Sequence, residues 1–256
     1  MKIDALVLAG GKLDGFDIEN RPPIKALLEL EGRPMIEYIL EALSNSENVG
    51  RIVILTPKKM KDERWAALAD KIIYSDDIIT KNIAKGLDYL GPGGRFLLVS
   101  SDVPLLTSEI IDDFIRATSK IEADFYYPVI SKQTVEADFP KSKRTYFSTK
   151  DGTYTGGNIF LIEKQAFSKN RERGEQIFAN RKRPLKMVRL IGISTIIKFL
   201  LKRTTLSELE AKASSILACK MRTIITEDAE VGVDVDKQDD LEMFRRKMST
   251  GREVSR

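Results

Sequence analysis

Short apolar runs alternate with amphipathic segments through the first half of the chain, and this alternation restricts the fold more than any other feature. The apolar runs predict strands at residues 3–9, 51–56, 71–75 and 95–100. Helices are predicted from Pro34 onward, at 58–69 and at 79–90. Strands separated by helices form βαβ crossovers, so the pattern predicts an α/β fold built on a parallel sheet.

The pattern changes in the second half. Strands are predicted at 124–131, 144–148 and 158–162, with no full helix between the last two, which indicates antiparallel or mixed additions to the sheet. Residues 163–218 read as mostly helical, and Thr205 with Glu208 forms a capping box. Strands near 221–226 and 231–235 precede a helix from 238 to about 248. We expect one domain over 1–248 that includes a helical basic insertion at about 163–218, and a frayed tail at 249–256.

Composition excludes several kinds of active site. The chain has 256 residues, no histidine and one cysteine, Cys219. A Ser-His-Asp triad, a Cys-His dyad, a histidine-ligated zinc site, an intramolecular disulfide and an imidazole base are therefore impossible within it. Any chemistry must come from carboxylates, lysines, arginines, hydroxyls and backbone amides.

The same features bear on localisation. Asp4 interrupts the short apolar stretch at the N-terminus, which does not resemble a signal peptide, and no apolar run approaches the length of a membrane span. With the single cysteine, this predicts a cytoplasmic protein.

Positive charge is concentrated in one segment. Residues 181–203 contain eight basic residues and no acidic one, although the formal charge of the whole chain is only +4. One interpretation is a pair of helices that pack on the domain with their cations in solvent. The alternative is a lid over an anionic acceptor, or contact with anionic lipid at a membrane surface. Aromatic residues are sparse there, so nucleic acid is not an expected partner.

Ligands of parallel sheets bind at the carboxyl ends of the strands, which directs attention to the turn after the first strand. Leu8, Ala9, Gly10, Gly11 and Lys12 form this turn. Two glycines leave backbone amides uncovered and a lysine follows, so the turn could hold phosphates. The alternative is an ordinary glycine turn, because the segment is neither a Walker loop nor a dinucleotide fingerprint.

Acidic residues follow two other predicted strands. Asp102 comes after the strand at 95–100 and precedes Pro104, so its carboxylate should enter the cleft as a metal or ligand contact, although a helix cap is possible. Asp234 and Asp236 are two residues apart and share a face if their segment is extended. Asp236 could instead cap the last helix, whereas Asp234 has no such alternative. Lys25 lies between apolar residues and is either a site cation or a solvated surface lysine.

The order of five segments resembles a known family: LVLAGG, PIKALLELEGRPMIEYILEAL, LLVSSDVPLL, TGGNIFLI and VDVDKQDDL. They are similar to the Rossmann-like nucleotidyltransferases that include the molybdopterin-guanine dinucleotide enzyme and sugar-1-phosphate nucleotidyltransferases. The resemblance covers most of residues 1–162 and 220–248. It implies a three-layer α/β/α Rossmann-like, glycosyltransferase-A-like fold with a mixed, mostly parallel sheet and a helical insertion.

The resemblance also implies roles for the candidate residues. A nucleoside triphosphate would lie across the first turn, with Mg²⁺ as cofactor. The implied assignments are Leu8 to Lys12 for the nucleotide and its phosphates, Lys25 for the α-phosphate, Asp102 with Asp234 or Asp236 for Mg²⁺, Asn82 for the nucleoside, and Gly157 with Asn158 for the acceptor. Asn82 could instead simply begin a helix, and the glycines at 156 and 157 could simply form a turn.

The reaction so implied transfers a nucleoside monophosphate from the triphosphate to a phosphorylated acceptor and releases pyrophosphate. This chemistry needs positioning and charge neutralisation more than an acid or base, so a chain without histidine can perform it. One alternative is a glycosyltransferase of related fold. Another is a noncatalytic nucleotide sensor or scaffold, because family members carry an arginine close behind the glycines and the next arginine here is Arg21.

Overall fold

The computed structural model of the protein describes residues 2–13, 16–17, 24–57, 64–180 and 191–254. Within these ranges the strands are β1 (Ile3–Leu8), β2 (Glu29–Leu30), β3 (Arg33–Pro34), β4 (Val49–Thr56), β5 (Lys71–Tyr74), β6 (Arg95–Ser100), β7 (Phe125–Ser131), β8 (Phe147–Ser148), β9 (Thr153–Gly156), β10 (Ile159–Glu163) and β11 (Met221–Thr226). The helices are α1 (Met35–Asn45), α2 (Ile79–Leu90), α3 (Ser108–Ser119), α4 (Lys132–Asp138), α5 (Lys164–Asn180), α6 (Ile193–Leu200), α7 (Leu206–Leu217) and α8 (Gln238–Val254).

The main sheet has nine strands among the described residues, in the order β5-β4-β1-β6-β10-β7-β9-β8, with β11 also paired to β7. β4 and β6 run parallel to β1, β5 runs parallel to β4, and β11 runs parallel to β7. β10 is antiparallel to both β6 and β7, and β9 is antiparallel to β7 and β8. Only β9 and β10 therefore oppose the common direction, which confirms the predicted mixed, mostly parallel sheet.

Helices cover both faces of this sheet. Successive side chains of a strand point to opposite faces, and in β1 Ala5 and Val7 belong to one apolar core while Leu6 belongs to another. Residues of α1, α3 and α8 complete the first core, and residues of α2 and α5 contribute to the second. The result is the three-layer α/β/α arrangement that the family resemblance implies.

A buried carboxylate fastens α3 to the connection between α1 and β4. Asp112 accepts hydrogen bonds from Ser46 Oγ at 2.5 Å, from Asn48 Nδ2 at 2.8 Å and from the Glu47 amide at 3.1 Å. Burial alone would raise the pKa of the Asp112 carboxyl, but these donors hold that pKa below its ordinary value. Asp112 therefore stays ionised and stabilises the helix contact.

Several element bounds differ from those predicted. The strand expected at 144–148 begins only at Phe147, and the helix expected at 58–69 is a 3-10 turn at Arg64–Leu68, residues 58–63 lying outside the described part. Helix α4 and strand β9 were not predicted. The last helix continues to Val254, past its predicted end near 248 and into the expected tail. The capping box of α7 at Thr205 is confirmed.

The strand predicted at 231–235 is wrong. This segment contains a 3-10 turn at Ala229–Gly232 and then extended backbone outside any ladder. Its backbone groups bond to loops instead: the Val231 carbonyl accepts from the Asn158 amide at 2.9 Å, and the Val235 amide donates to the Asp102 carbonyl at 2.9 Å. These bonds satisfy the segment's polar groups without a neighbouring strand.

The basic insertion is described in part. Residues 181–190 of the cationic run lie outside the described residues, whereas α6 and the residues that follow it are described. In the described ranges, none of the helices combines the length and the apolar character needed to cross a bilayer.

Candidate functional site

The glycine turn and Asp102 leave the sheet side by side. Leu8, the last residue of β1, pairs with Ser100, the last residue of β6, so the two following loops begin at the same edge. Gly10, Gly11 and Lys12 are exposed there, while Ala9 is buried. This edge is the carboxyl end of the parallel strands, where ligands of such sheets bind.

Lys25 connects the glycine turn to the acidic residues. Its backbone amide donates to the Gly11 carbonyl at 3.1 Å, and a Cβ at Gly11 would lie 2.9 Å from Lys25 Cδ. Its Nζ donates to Asp102 Oδ2 and to Asp236 Oδ1, each at 2.7 Å. Burial alone would lower the pKa of this ammonium, but the two carboxylates raise the pKa above its ordinary value. Lys25 is therefore a buried, charged lysine and not a solvated surface residue.

Three carboxylates converge around this lysine. Asp102, Asp234 and Asp236 each offer one oxygen, and these oxygens lie within 4.8 Å of one another. In the described residues this is the one group of three or more acidic or thiol side chains close enough to share an ion. Carboxylate oxygens are hard ligands, of the kind that Mg²⁺ and Ca²⁺ take in proteins.

The helix-cap alternatives for two of these residues do not hold. Thr107, not Asp102, caps α3 by accepting from the Ile110 amide at 3.4 Å. The Asp236 carboxylate contacts Lys25, whereas Asp240 Oδ2 accepts from the amides of Asp236 and Lys237, each at 3.1 Å. Asp102 and Asp236 therefore do not act as helix caps, and their carboxylates face the site instead.

Arg144 is a member of the site that the sequence did not single out. Its guanidinium donates to Asp234 Oδ1, to the Asp234 carbonyl at 3.0 Å and to Asp240 Oδ1 at 3.3 Å, and its side chain is only 8% exposed. It comes from the segment predicted as a strand at 144–148. Nothing distinguishes it in the sequence, because it ends a stretch of ordinary surface residues, Lys141 to Lys143.

Asn158 is linked to the cluster through its backbone, and Gly157 precedes it in the chain. The Ser100 amide donates to the Asn158 carbonyl at 3.1 Å, and Ser100 Oγ donates to Asp102 Oδ1. Gly157 allows a close approach, since a Cβ there would lie 2.5 Å from Val231 Cγ1. The Asn158 backbone is therefore connected to Asp102 through Ser100, whereas the Gly157 amide donates to the Pro128 carbonyl at 3.0 Å.

Asn82 forms its described hydrogen bonds within its own segment of the chain. It is in the first turn of α2, where its Nδ2 donates to the Asp77 carbonyl at 3.0 Å, and its Oδ1 is buried with no partner among the described atoms. None of its described hydrogen bonds reaches the carboxylate cluster. Arg21, the first arginine after the glycines, lies outside the described residues.

Comparisons with known proteins identify a family and several relatives. A sequence model of the family described as "MobA-like NTP transferase domain" matches residues 5–212. A probable molybdenum cofactor guanylyltransferase of Natranaerobius thermophilus is 28% identical over 131 residues, 50% of this chain and 61% of that protein. The bifunctional protein GlmU of Thermotoga maritima is 24% identical over 183 residues, 65% of this chain and 40% of that protein. The chain thus spans about half the length of these curated relatives.

A solved structure supports the fold over nearly the whole chain. A hypothetical transferase from Thermus thermophilus is 34% identical to this chain, with a TM-score of 0.81, and the match covers 94% of this chain and 100% of that one.

Proposed function

Because the chain belongs to the MobA-like NTP transferase domain family, we propose that it is a Mg²⁺-dependent nucleotidyltransferase. The resemblance found in the sequence is thereby confirmed at the level of the family. In the proposed reaction a phosphorylated small molecule attacks the α-phosphorus of a nucleoside triphosphate, and pyrophosphate leaves. The cytoplasmic localisation stays a prediction.

The observation that carries the proposal is the position of Lys25. Its ammonium lies 2.7 Å from Asp102 and from Asp236, and its backbone is bonded to the glycine turn. One buried cation thus stands between a turn suited to phosphates and carboxylates suited to a divalent ion. Transfer of a nucleotidyl group depends mainly on such positioned charges.

The donor set fits Mg²⁺. Asp102, Asp234 and Asp236 would hold the ion, because each provides a carboxylate oxygen within the 4.8 Å group. When bound, Mg²⁺ supplies neutralisation of charge on the phosphates. Lys25 pairs with Asp102 and Asp236, and Arg144 pairs with Asp234, so two cations of the protein offset the charge of these carboxylates.

The triphosphate would bind across the turn formed by residues 8–12. Gly10 and Gly11 are exposed, so their backbone is accessible to a ligand, and Lys12 adds an exposed cation at the same place. Lys25 would orient the α-phosphate, since its ammonium is held in one place by two carboxylates. Backbone amides and lysines are the groups that bind phosphate in such turns.

The acceptor would lie next to Gly157 and Asn158. The Asn158 backbone bonds to the Ser100 amide of β6 and to the Val231 carbonyl. The nucleoside assignment of Asn82 rests on the family resemblance. A lipid contact through residues 181–203 is not needed for this reaction.

The test is pyrophosphate release from the full chain with each of the four common nucleoside triphosphates, paired with hexose 1-phosphates and with a molybdopterin-type phosphate. Release that requires Mg²⁺ is expected with at least one pair. Asp102→Asn should reduce that rate at least a hundredfold. Asp239→Asn is the matched control, because Asp239 is 72% exposed and pairs only with Lys143 in the described contacts.

Two results would overturn the proposal. The first is nucleotide binding, seen as a thermal shift, with no turnover of any pair; the chain would then be a sensor or scaffold. The second is turnover that Asp102→Asn leaves unchanged, which would locate the chemistry elsewhere.

A further inference from the structure

Helix α6 presents an apolar strip to solvent. Ile197, Leu200 and Leu201 are 50%, 72% and 59% exposed, and they are among the few large apolar side chains of the described residues that are so exposed. Their spacing of three and four positions places them on one side of the helix. We call this strip, with the cations beside it, the α6 face.

Cations border the strip. Lys198, Lys202 and Arg203 are all exposed. Lys198 Nζ lies 3.4 Å from Glu208, whereas Lys202 and Arg203 form no ion pair with any described residue. The α6 face thus combines exposed apolar side chains with two cations that have no acidic partner in the described part of the chain.

The α6 face is fixed to the folded body at its C-terminal end. Thr204, the next residue, is 1% exposed, and its carbonyl accepts from the Lys150 amide at 2.9 Å. Asp151 Oδ2 accepts from the Leu206 amide at 2.7 Å. The turn between β8 and β9 therefore holds the chain where α6 ends, so the face is displayed by an anchored element.

We propose that the α6 face docks on the surface of an anionic lipid bilayer. An apolar strip flanked by lysine and arginine is the arrangement by which a helix lies in the interface, with its apolar side in the acyl boundary and its cations at the headgroups. The helix has 8 residues, roughly 12 Å in length, so it would lie on the bilayer and not cross it. The unpartnered cations favour an anionic surface over a neutral one. This docking is independent of the proposed nucleotidyl transfer.

The test is co-sedimentation of the full chain with vesicles of phosphatidylcholine alone and of phosphatidylcholine with phosphatidylglycerol. Binding is expected only to the anionic vesicles and should weaken as salt is raised. Lys202→Glu with Arg203→Glu should lower the partition coefficient by at least about thirtyfold, because each cation near such a surface contributes about fivefold. Leu200→Ser with Leu201→Ser should lower it by about tenfold or more.

The control variants carry the same kinds of substitution at exposed positions outside the α6 face. Ile225→Ser removes another exposed apolar side chain, 55% exposed on β11, and Lys120→Glu with Lys141→Glu reverses two other exposed lysines. Both controls should bind vesicles nearly as the unaltered chain does. All variants are at exposed positions, and circular dichroism checks that each is folded.

Three results would overturn the docking. One is no binding to anionic vesicles. Another is equal weakening by the control variants, which would indicate nonspecific attraction. The third is a dimer in sedimentation equilibrium that Leu200→Ser with Leu201→Ser dissociates, without vesicle binding, which would make the α6 face an interface between copies of this chain.

Discussion

Replacing Lys25 with methionine removes the cation between two carboxylates while retaining most of the side chain's length and apolar stem. Lys25 Nζ lies 2.7 Å from both Asp102 and Asp236, and the side chains are 7%, 16% and 59% exposed respectively. The variant leaves Asp102 without its ammonium partner in a largely buried position. We expect Lys25→Met to be folded but clearly less stable in buffer that contains a chelator.

The size of this loss follows from burial. Removing one partner of a buried ion pair costs about 3 to 5 kcal/mol, because the remaining charge is uncompensated. Asp236 is mostly exposed, so solvent screens its interaction with Lys25. We therefore expect a loss of unfolding free energy at the lower end of this range, about 3 kcal/mol. For a chain of this size that corresponds to a melting temperature lower by roughly 6 to 12 °C.

Magnesium should reverse part of the loss. The unaltered chain already holds a cation against Asp102 and Asp236, and that cation competes with a divalent ion for the same oxygens. In Lys25→Met this competitor is absent, so Mg²⁺ should stabilise the variant more than the unaltered chain. An ion at a hundred times its dissociation constant would contribute about 2.7 kcal/mol.

Thermal unfolding with and without Mg²⁺ measures both effects, and Lys85→Met provides the matched control. Lys85 also lies 2.7 Å from an aspartate, Asp77, but the two side chains are 46% and 42% exposed. Solvent screens that pair, so its loss should be small and insensitive to Mg²⁺. The reasoning is refuted if Lys25→Met loses no more stability than Lys85→Met, or if Mg²⁺ raises both melting temperatures equally.

Three further outcomes are expected. Arg144→Met should destabilise the chain by about 3 kcal/mol in metal-free urea unfolding, since it leaves buried carboxylates without their guanidinium; an unchanged midpoint would contradict this. Asp112→Asn should cost about 2 kcal/mol at pH 7. Because the pKa of Asp112 is lowered by folding, its stabilisation is present above about pH 4 and lost as pH falls through the folded value, so the two unfolding curves should converge in acid. Gly157→Ala should cost about 1 to 3 kcal/mol, because the new Cβ would lie 2.5 Å from Val231 Cγ1. Gly174→Ala, whose Cβ would meet nothing nearer than 3.9 Å, should be neutral or stabilising in the same assay.

The strands of the sheet could be predicted from the sequence where they are continuous apolar or β-branched runs. β6 and β11 have the predicted bounds, because continuous apolar or β-branched runs between polar ends allow few other structures. α2 likewise begins and ends as its apolar spacing indicates. Local pattern alone suffices for such elements.

Contacts between distant segments account for what the sequence did not reveal. The residues at 231–235 resemble a strand, but their backbone groups bond to Asn158 and Asp102 in other loops. Arg144 acquires its role only because folding brings it 90 positions along the chain to Asp234. The sequence offered no structural role for Asp234 as an alternative to a site role, but its ion pair with Arg144 is such a role. The convergence of Asp102, Asp234 and Asp236 could be anticipated only through the family resemblance, because spacing alone placed no more than Asp234 and Asp236 on one face.

The cluster around Lys25 also determines when, during synthesis, this part of the site can form. Lys25 and Asp236 are 211 positions apart, so a nascent chain can form β1, β4 and β6 long before its counter-charge leaves the ribosome. Until residues 234–240 emerge, Lys25 and Asp102 have only each other, and Arg144 has neither of its carboxylates. Residues up to Asp240 must therefore be synthesised before this edge of the sheet acquires its final electrostatic balance.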